Sequence, residues 1–153
     1  MPARKLKDYL DQQKIRYLSI RHSPAYTAQE IAASAHISGR DLAKAVIVKV
    51  ENHTAMVVLP ANRKVILSDL REALDADQVK LATEEEFQSL FPDCEIGAMP
   101  PFGNLYGLET YVAPSLLQEA EIAFNAGTHT EIIKMASADY ARLVQPKTAN
   151  FTT

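Results

Sequence analysis

A lysine stands third in the apolar run Leu42-Ala-Lys-Ala-Val-Ile-Val-Lys-Val50. Strand alternation puts Leu42, Lys44, Val46 and Val48 on one face and Ala43, Ala45, Ile47 and Lys49 on the other. Lys44 then either snorkels its ammonium to the rim or projects into a pocket, where reduced solvation strengthens its pull on a carbonyl or phosphate oxygen. A second element is Gly97-Ala-Met-Pro-Pro-Phe-Gly103. Its adjacent prolines remove amide donors and fix φ, while Gly97 lets a ligand approach main-chain amides. It is either a rigid turn or a fixed wall whose amides stabilise a developing oxyanion. Of the four histidines, His22 precedes Ser23-Pro24 directly after an expected strand, and His129 follows Gly127-Thr128 between two others. Loops at strand ends are where rigid scaffolds present functional groups. His36 and His53 fall at a helix end and a hairpin turn, where solvation accounts for them.

Other chemistries lose their usual signals. The chain has no GxxxxGK[ST] loop, GxGxxG turn, HExxH or GxSxG. No two histidines stand at i,i+4 spacing, so a metal site would have to be assembled across the fold. The single cysteine, Cys94, makes neither an internal disulfide nor a thiolate zinc site, and reads as a structural thiol.

The elements that position these residues belong to a chain of 153 residues, a length that suits one domain. Its 47% hydrophobic and 23% charged residues are ordinary for a globular protein. The N-terminus is amphipathic without the apolar core of a signal peptide, and the longest apolar stretch, Ala45 to Val50, is too short for a membrane span. A cytoplasmic protein with no membrane partner is expected. The net charge of −3 argues on its face against a nucleic-acid binder. Yet residues 1–64 carry 11 basic and 5 acidic side chains, and residues 65–153 carry 5 basic and 14 acidic. Either these are solvated faces or one face is positive enough to meet a polyanion.

Periodicity predicts a helix over 3–14, a strand over 16–21, and a helix from the capping box Thr27–Glu30 to about His36. It predicts a hairpin of Leu42–Val50 and Thr54–Leu59 turning at Glu51-Asn-His53. A helix over Leu67–Leu74 with Ser68 as cap follows, then a strand at Val79–Ala82. The capping box Thr83–Glu86 opens a helix to about Phe91. Glu109–Val112, Glu121–Asn125 and Thr130–Met135 are expected strands, Ser137 caps a last helix to Val144, and a tail begins at Pro146. This pattern favours mixed α/β architecture with a mainly antiparallel or mixed sheet.

Four motifs occur together in order: His22-Ser-Pro-Ala-Tyr-Thr27, Leu42-Ala-Lys44-Ala-Val46, Gly97-Ala-Met-Pro-Pro101 and Gly127-Thr-His129. The set resembles the YbaK/ProX-type family, the prolyl-tRNA synthetase-associated editing domains, from the first helix to Val144. The resemblance implies a deacylase that hydrolyses the ester of mischarged aminoacyl-tRNA, needing no metal or cofactor. It implies a single α/β domain over 1–146, a mixed, curved, barrel-like sheet surrounded by helices, with 147–153 as a C-terminal tail. Lys44 matches the family's strand lysine, which positions the substrate carbonyl or terminal adenosine. Gly97, Ala98, Met99, Pro100 and Pro101 match the loop that shapes the amino-acid pocket and contributes amides, and His129 matches a substrate-binding position. His22, Tyr26, Ala45, Phe102, Gly127 and Thr128 complete the expected substrate-binding set. Ala45 departs from the pattern: the alanine-specific branch has asparagine there and the thiol-specific branch a hydroxyl-bearing residue. The implied partner is the acceptor end of mischarged tRNA, with an aminoacyl-tRNA synthetase open as a second.

An aminoacyl ester is already activated, so positioning and oxyanion stabilisation suffice without a protein nucleophile. Water would attack the carbonyl while Lys44 and the Gly97-region amides steady the charge. Met99, Phe102 and Tyr26 are expected to narrow the pocket to small amino acids. The rival readings are a non-catalytic module that binds a tRNA end or a synthetase, and a hydrolase of a small ester unrelated to tRNA.

Overall fold

A computed structural model describes residues 4–22 and 37–153. The expected Thr27–Glu30 capping box, its helix to His36, and Tyr26 lie outside the described residues. The amphipathic first segment forms α1 (Arg4–Gln12), which buries Leu6 and Leu10. β1 (Tyr17–Arg21) follows. The hairpin of β2 (Leu42–Val50) and β3 (His53–Pro60) pairs continuously from Ala43 and Pro60 to Val50 and His53. Its turn is only Glu51-Asn52, with Glu51 at a φ of 55°, so His53 belongs to the strand.

Helix α2 (Leu67–Ala73) starts after Ile66, and Ser68 lies inside its first turn instead of capping it. The entry is fixed from elsewhere, because the Ile66 amide bonds the Phe151 carbonyl at 2.7 Å. β4 (Val79–Leu81) leads to α3 (Glu84–Phe87), opened by the expected capping box of Thr83 and Glu86 and continued as a 3₁₀ turn to Leu90. After a 3₁₀ turn at Gly103–Tyr106 come β5 (Glu109–Val112), α4 (Pro114–Gln118), β6 (Glu121–Asn125), β7 (Glu131–Ala136), α5 (Ser137–Val144) and β8 (Lys147–Thr148). Ser137 does not cap α5. Its hydroxyl donates to the carbonyls of Glu119 and Ala120, latching the link between α4 and β6.

The eight strands form one mixed sheet in the order β1-β7-β6-β2-β3-β5-β8, with β4 also paired to β2. β2 shares its second edge between two partners, meeting β6 in parallel through Leu42 and Ala43 and β4 through Val48–Val50. One face of the sheet carries Ala43, Ile47, Val58, Phe124 and Ile133, sealed by α1, Phe102 and Tyr140. On the other, Val48, Val57 and Leu59 pack with Leu70 and Phe151, and Leu42 packs with Ala123 and Ile132. The segment expected as a tail is therefore packed: β8 pairs with β5, and Phe151 is fully buried. Among the described residues no helix is long and apolar enough to cross a membrane.

Candidate active site

Several chain segments meet at one end of this sheet. β1 ends at Arg21 opposite Glu131, and the next amide, His22 N–H, donates to the Thr130 carbonyl at 2.9 Å. β6 runs out at Asn125 into the turn Gly127–Thr130, closed by the Ala126 amide on the Glu131 carbonyl at 3.1 Å. The parallel register pairs Leu42 with Ala123 and Ala43 with Phe124. One residue on, Lys44 stands level with Asn125, and alternation puts both on the face of Leu42 and Ala123.

Lys44 is half-buried, and among the described residues no carboxylate lies within ion-pair distance of its Nζ. Burial lowers its pKa first, and the charge of Lys64 lowers it further. Its ammonium donors are therefore available to an anionic or carbonyl oxygen. Ala45 is not brought to the same place. It lies on the opposite face and packs against the main core.

The Pro-rich loop is strapped to the Gly127–Thr130 turn by main-chain bonds. Glu95 N–H donates to the Gly127 carbonyl at 2.8 Å, and Gly127 N–H donates to the Ala98 carbonyl at 2.9 Å. Glu95 adds a carboxylate that accepts the His129 amide at 3.0 Å. His129 is 8% exposed, and its Nε2 lies 2.8 Å from the Ile96 carbonyl. A carbonyl only accepts, so Nε2 carries the hydrogen. Gly97 and Gly127 hold φ values of 85° and 94°, a left-handed region in which a side chain is strained.

Below the loop, the fully buried Tyr140 hydroxyl donates to the Pro101 carbonyl at 2.7 Å. Ala98, Met99, Pro100 and Pro101 are buried along it. Phe102 is fully buried in the main core, edge-on to Tyr9, Phe124 and Tyr140, where it braces the loop from beneath. The amides of Ala98, Gly127 and His129 are occupied, whereas those of Gly97, Met99 and Thr128 have no acceptor among the described residues. The Thr128 and Thr130 hydroxyls pair with each other at 3.2 Å.

Lys44 on β2 and, in the strapped loop and turn, amides that have no acceptor among the described residues are groups of the kind that hold an oxyanion. Glu95, Tyr140 and Thr130 carry no motif and were not expected at this site; their roles arise from contacts distant in sequence. Among the described residues no group of three His, Cys, Asp or Glu is placed to hold a metal. Burial pushes the Cys94 thiol up to about 11, with Sγ against the Tyr106 hydroxyl at 3.4 Å.

A family model described as an aminoacyl-tRNA editing domain matches residues 22–143. A multifunctional Ser/Thr-tRNA deacylase, ProXp-y, of Escherichia coli K12 is 34% identical over 114 residues, 71% of this chain and 68% of that protein. The crystal structure of hypothetical protein APE2540 superimposes with a TM-score of 0.87 at 18% identity, covering 97% of this chain and 99% of the other. That of a proposed trans-editing enzyme for prolyl tRNA synthetase gives 0.84 at 19%, covering 99% and 96%.

Proposed function

The chain belongs to the aminoacyl-tRNA editing domain family, and from that premise we propose that it is a free-standing deacylase, a hydrolase of the ester that joins a small amino acid to the wrong tRNA. The observation that carries this reading is the strapping of the Gly97 loop to the Gly127–Thr130 turn, which follows the strand that pairs with the start of β2. Water attacks the ester carbonyl, and the negative charge that develops on its oxygen is met by the Gly97 and Met99 amides and by Lys44 Nζ. The leaving group is the ribose hydroxyl of the terminal nucleotide, which departs with a proton. No protein nucleophile is required, because the ester is already activated and donors on a rigidly strapped loop can stabilise the charge without reorganising.

We take the amino-acid pocket to be small, which favours side chains such as Ser, Thr, Ala or Cys, and the name of the Escherichia coli relative supports the hydroxylated pair. A methylene more or less is worth about 1–3 kcal/mol in such a pocket, so substrates overlap. We place this work in the cytoplasm, on tRNA released by a synthetase.

The test is a deacylation panel of mischarged tRNAs with wild type and Lys44→Ala. Multiple turnover on small aminoacyl-tRNAs and a loss on the order of 10²–10³ in rate for the variant are expected. Binding without turnover would leave a tRNA-end module instead, and an unimpaired variant would remove Lys44 from the chemistry.

A further inference from the structure

Three more cations gather beside Lys44. Arg40 lies in the turn that opens β2, and Arg63 and Lys64 lie in the turn that closes β3. These turns are laced together: the Ala61 amide bonds the Leu42 carbonyl at 2.7 Å, and a Cβ at Gly39 would stand 3.2 Å from that of Asn62. Lys44 itself is paired with Leu59, so all four belong to one end of the hairpin.

Of the other cations, Arg4, Lys7, Lys49, Lys134, Arg142 and Lys147 pair with a carboxylate, while Lys5, Lys14, Arg16, Arg21, Arg71 and Lys80 stand apart from this end of the hairpin in sequence. Among the described residues Arg40, Lys44, Arg63 and Lys64 have no side-chain carboxylate within ion-pair distance, although Asp41 lies on the same turn. Arg63 Nη1 donates to the Thr153 carbonyl at 3.0 Å, which holds the guanidinium at the mouth of a cleft. The cleft encloses about 270 Å³ and is walled by Ser115, Gln118, Asn150 and Thr152.

Four cations at one end of a hairpin, with Lys64 near enough for its charge to act on Lys44 and no side-chain carboxylate paired to any of them, make a local positive patch in a protein that is acidic overall, which favours a polyanion. We propose that Arg40, Arg63 and Lys64 form the track on which the phosphates of the tRNA acceptor strand run to Lys44, with the polar cleft beside Arg63 seating a nucleotide next to the reacting end. The proposal rests on the deacylase reading above. Arg63 suits a phosphate beside the cleft, because its planar fork grips an oxyanion through two donors while one is spent on Thr153.

The test compares Arg40→Gln/Lys64→Gln and Arg63→Gln with wild type on two substrates, a full-length seryl-tRNA and seryl-adenosine, which carries the ester without the strand. On tRNA the double variant should raise KM about tenfold with kcat within twofold. Its log KM against log salt should be shallower by roughly 1.4, near 0.7 for each lost single-strand phosphate contact. Arg63→Gln should raise KM for tRNA alone. On seryl-adenosine all three proteins should match. Unchanged KM and salt slope on tRNA would overturn the track, and so would equal losses on both substrates. If wild type cleaves neither ester, the deacylase reading fails before the track is at issue. Matching thermal melts separate these outcomes from misfolding.

Discussion

A Cβ placed on Gly97 would stand 3.5 Å from Cε1 of His129, so the Pro-rich loop and the turn after β6 touch at a point where only a hydrogen now intervenes. Gly97 also holds a φ of 85°. Gly97→Ala should therefore cost about 1–2 kcal/mol in backbone strain. That corresponds to a Tm lower by several degrees for a chain of this size, at roughly 2–4 °C per kcal/mol. The amide of residue 97 would shift with it, and kcat/KM should fall at least tenfold. A variant that melts earlier but deacylates at the wild-type rate would show that this glycine serves the fold alone.

The strands and the Pro-rich loop were legible in the sequence because alternation, glycines and prolines act locally. The Thr83–Glu86 capping box was legible for the same reason, both partners being three residues apart. Ser68 and Ser137 misled because a long-range bond fixes the helix entry at Ile66, and because two carbonyls of the preceding link compete for Ser137. The packed end of the chain was missed because Phe151 is one aromatic residue in a polar stretch, and its burial depends on Leu70 and Tyr111, far away in sequence. At the site, Lys44, Gly97 and His129 stood out by type and position. Glu95 and Tyr140 did not, since nothing local distinguishes a carboxylate that anchors a turn from one that is merely solvated.

Glu131 begins β7 immediately after the turn, and its buried carboxylate accepts from Ser19 of β1 and pairs with Lys7 of α1 at 2.5 Å. Burial alone would raise its pKa. The hydrogen bonds from Lys7 and Ser19, with the charges of Lys7 and Arg21, outweigh burial and hold it below 4.5. A depressed folded pKa means stability that is fully present above about 4.5 and is lost as pH falls through the folded value. Glu131→Gln should destabilise by about 3 kcal/mol at neutral pH, by stranding Lys7 and weakening the Ser19 bond. It should also flatten the acid limb of stability. Urea melts from pH 3 to 7 read both effects, and an unchanged acid limb would discard the role given to Glu131.

Cys94 sits behind the loop, its Sγ 3.5 Å from Asp93 Oδ1 as well as against Tyr106. Burial first, and then the Asp93 charge, raise the thiol to about 11. The thiolate is the reactive form, so at neutral pH very little of it exists. Iodoacetamide at pH 7.5 should label the native protein far more slowly than the urea-unfolded protein, and Cys94→Ser should retain deacylation within about twofold. Rapid labelling of the native protein, with activity lost in step, would make this cysteine part of the chemistry.

Tyr140 tests whether the loop is held from beneath or only leans on the core. Its ring is fully buried edge-on to Phe102, and burial raises its pKa, so the hydroxyl remains a neutral donor throughout the assay range. Tyr140→Phe keeps the ring and removes only the bond to the Pro101 carbonyl. A buried carbonyl left without its donor costs about 1–3 kcal/mol. Part of that cost is relieved if the loop moves outward, and on the proposed deacylase reading outward movement would widen the amino-acid pocket expected beside Met99 and Pro100. The expected signature is a change in selectivity: cleavage of a bulkier aminoacyl-tRNA, such as a valyl ester, rises several-fold relative to the seryl ester, while kcat on the seryl ester changes little. A loss shared equally by both esters would mean that the bond sets the stability of the core and has no hold on the width of the pocket.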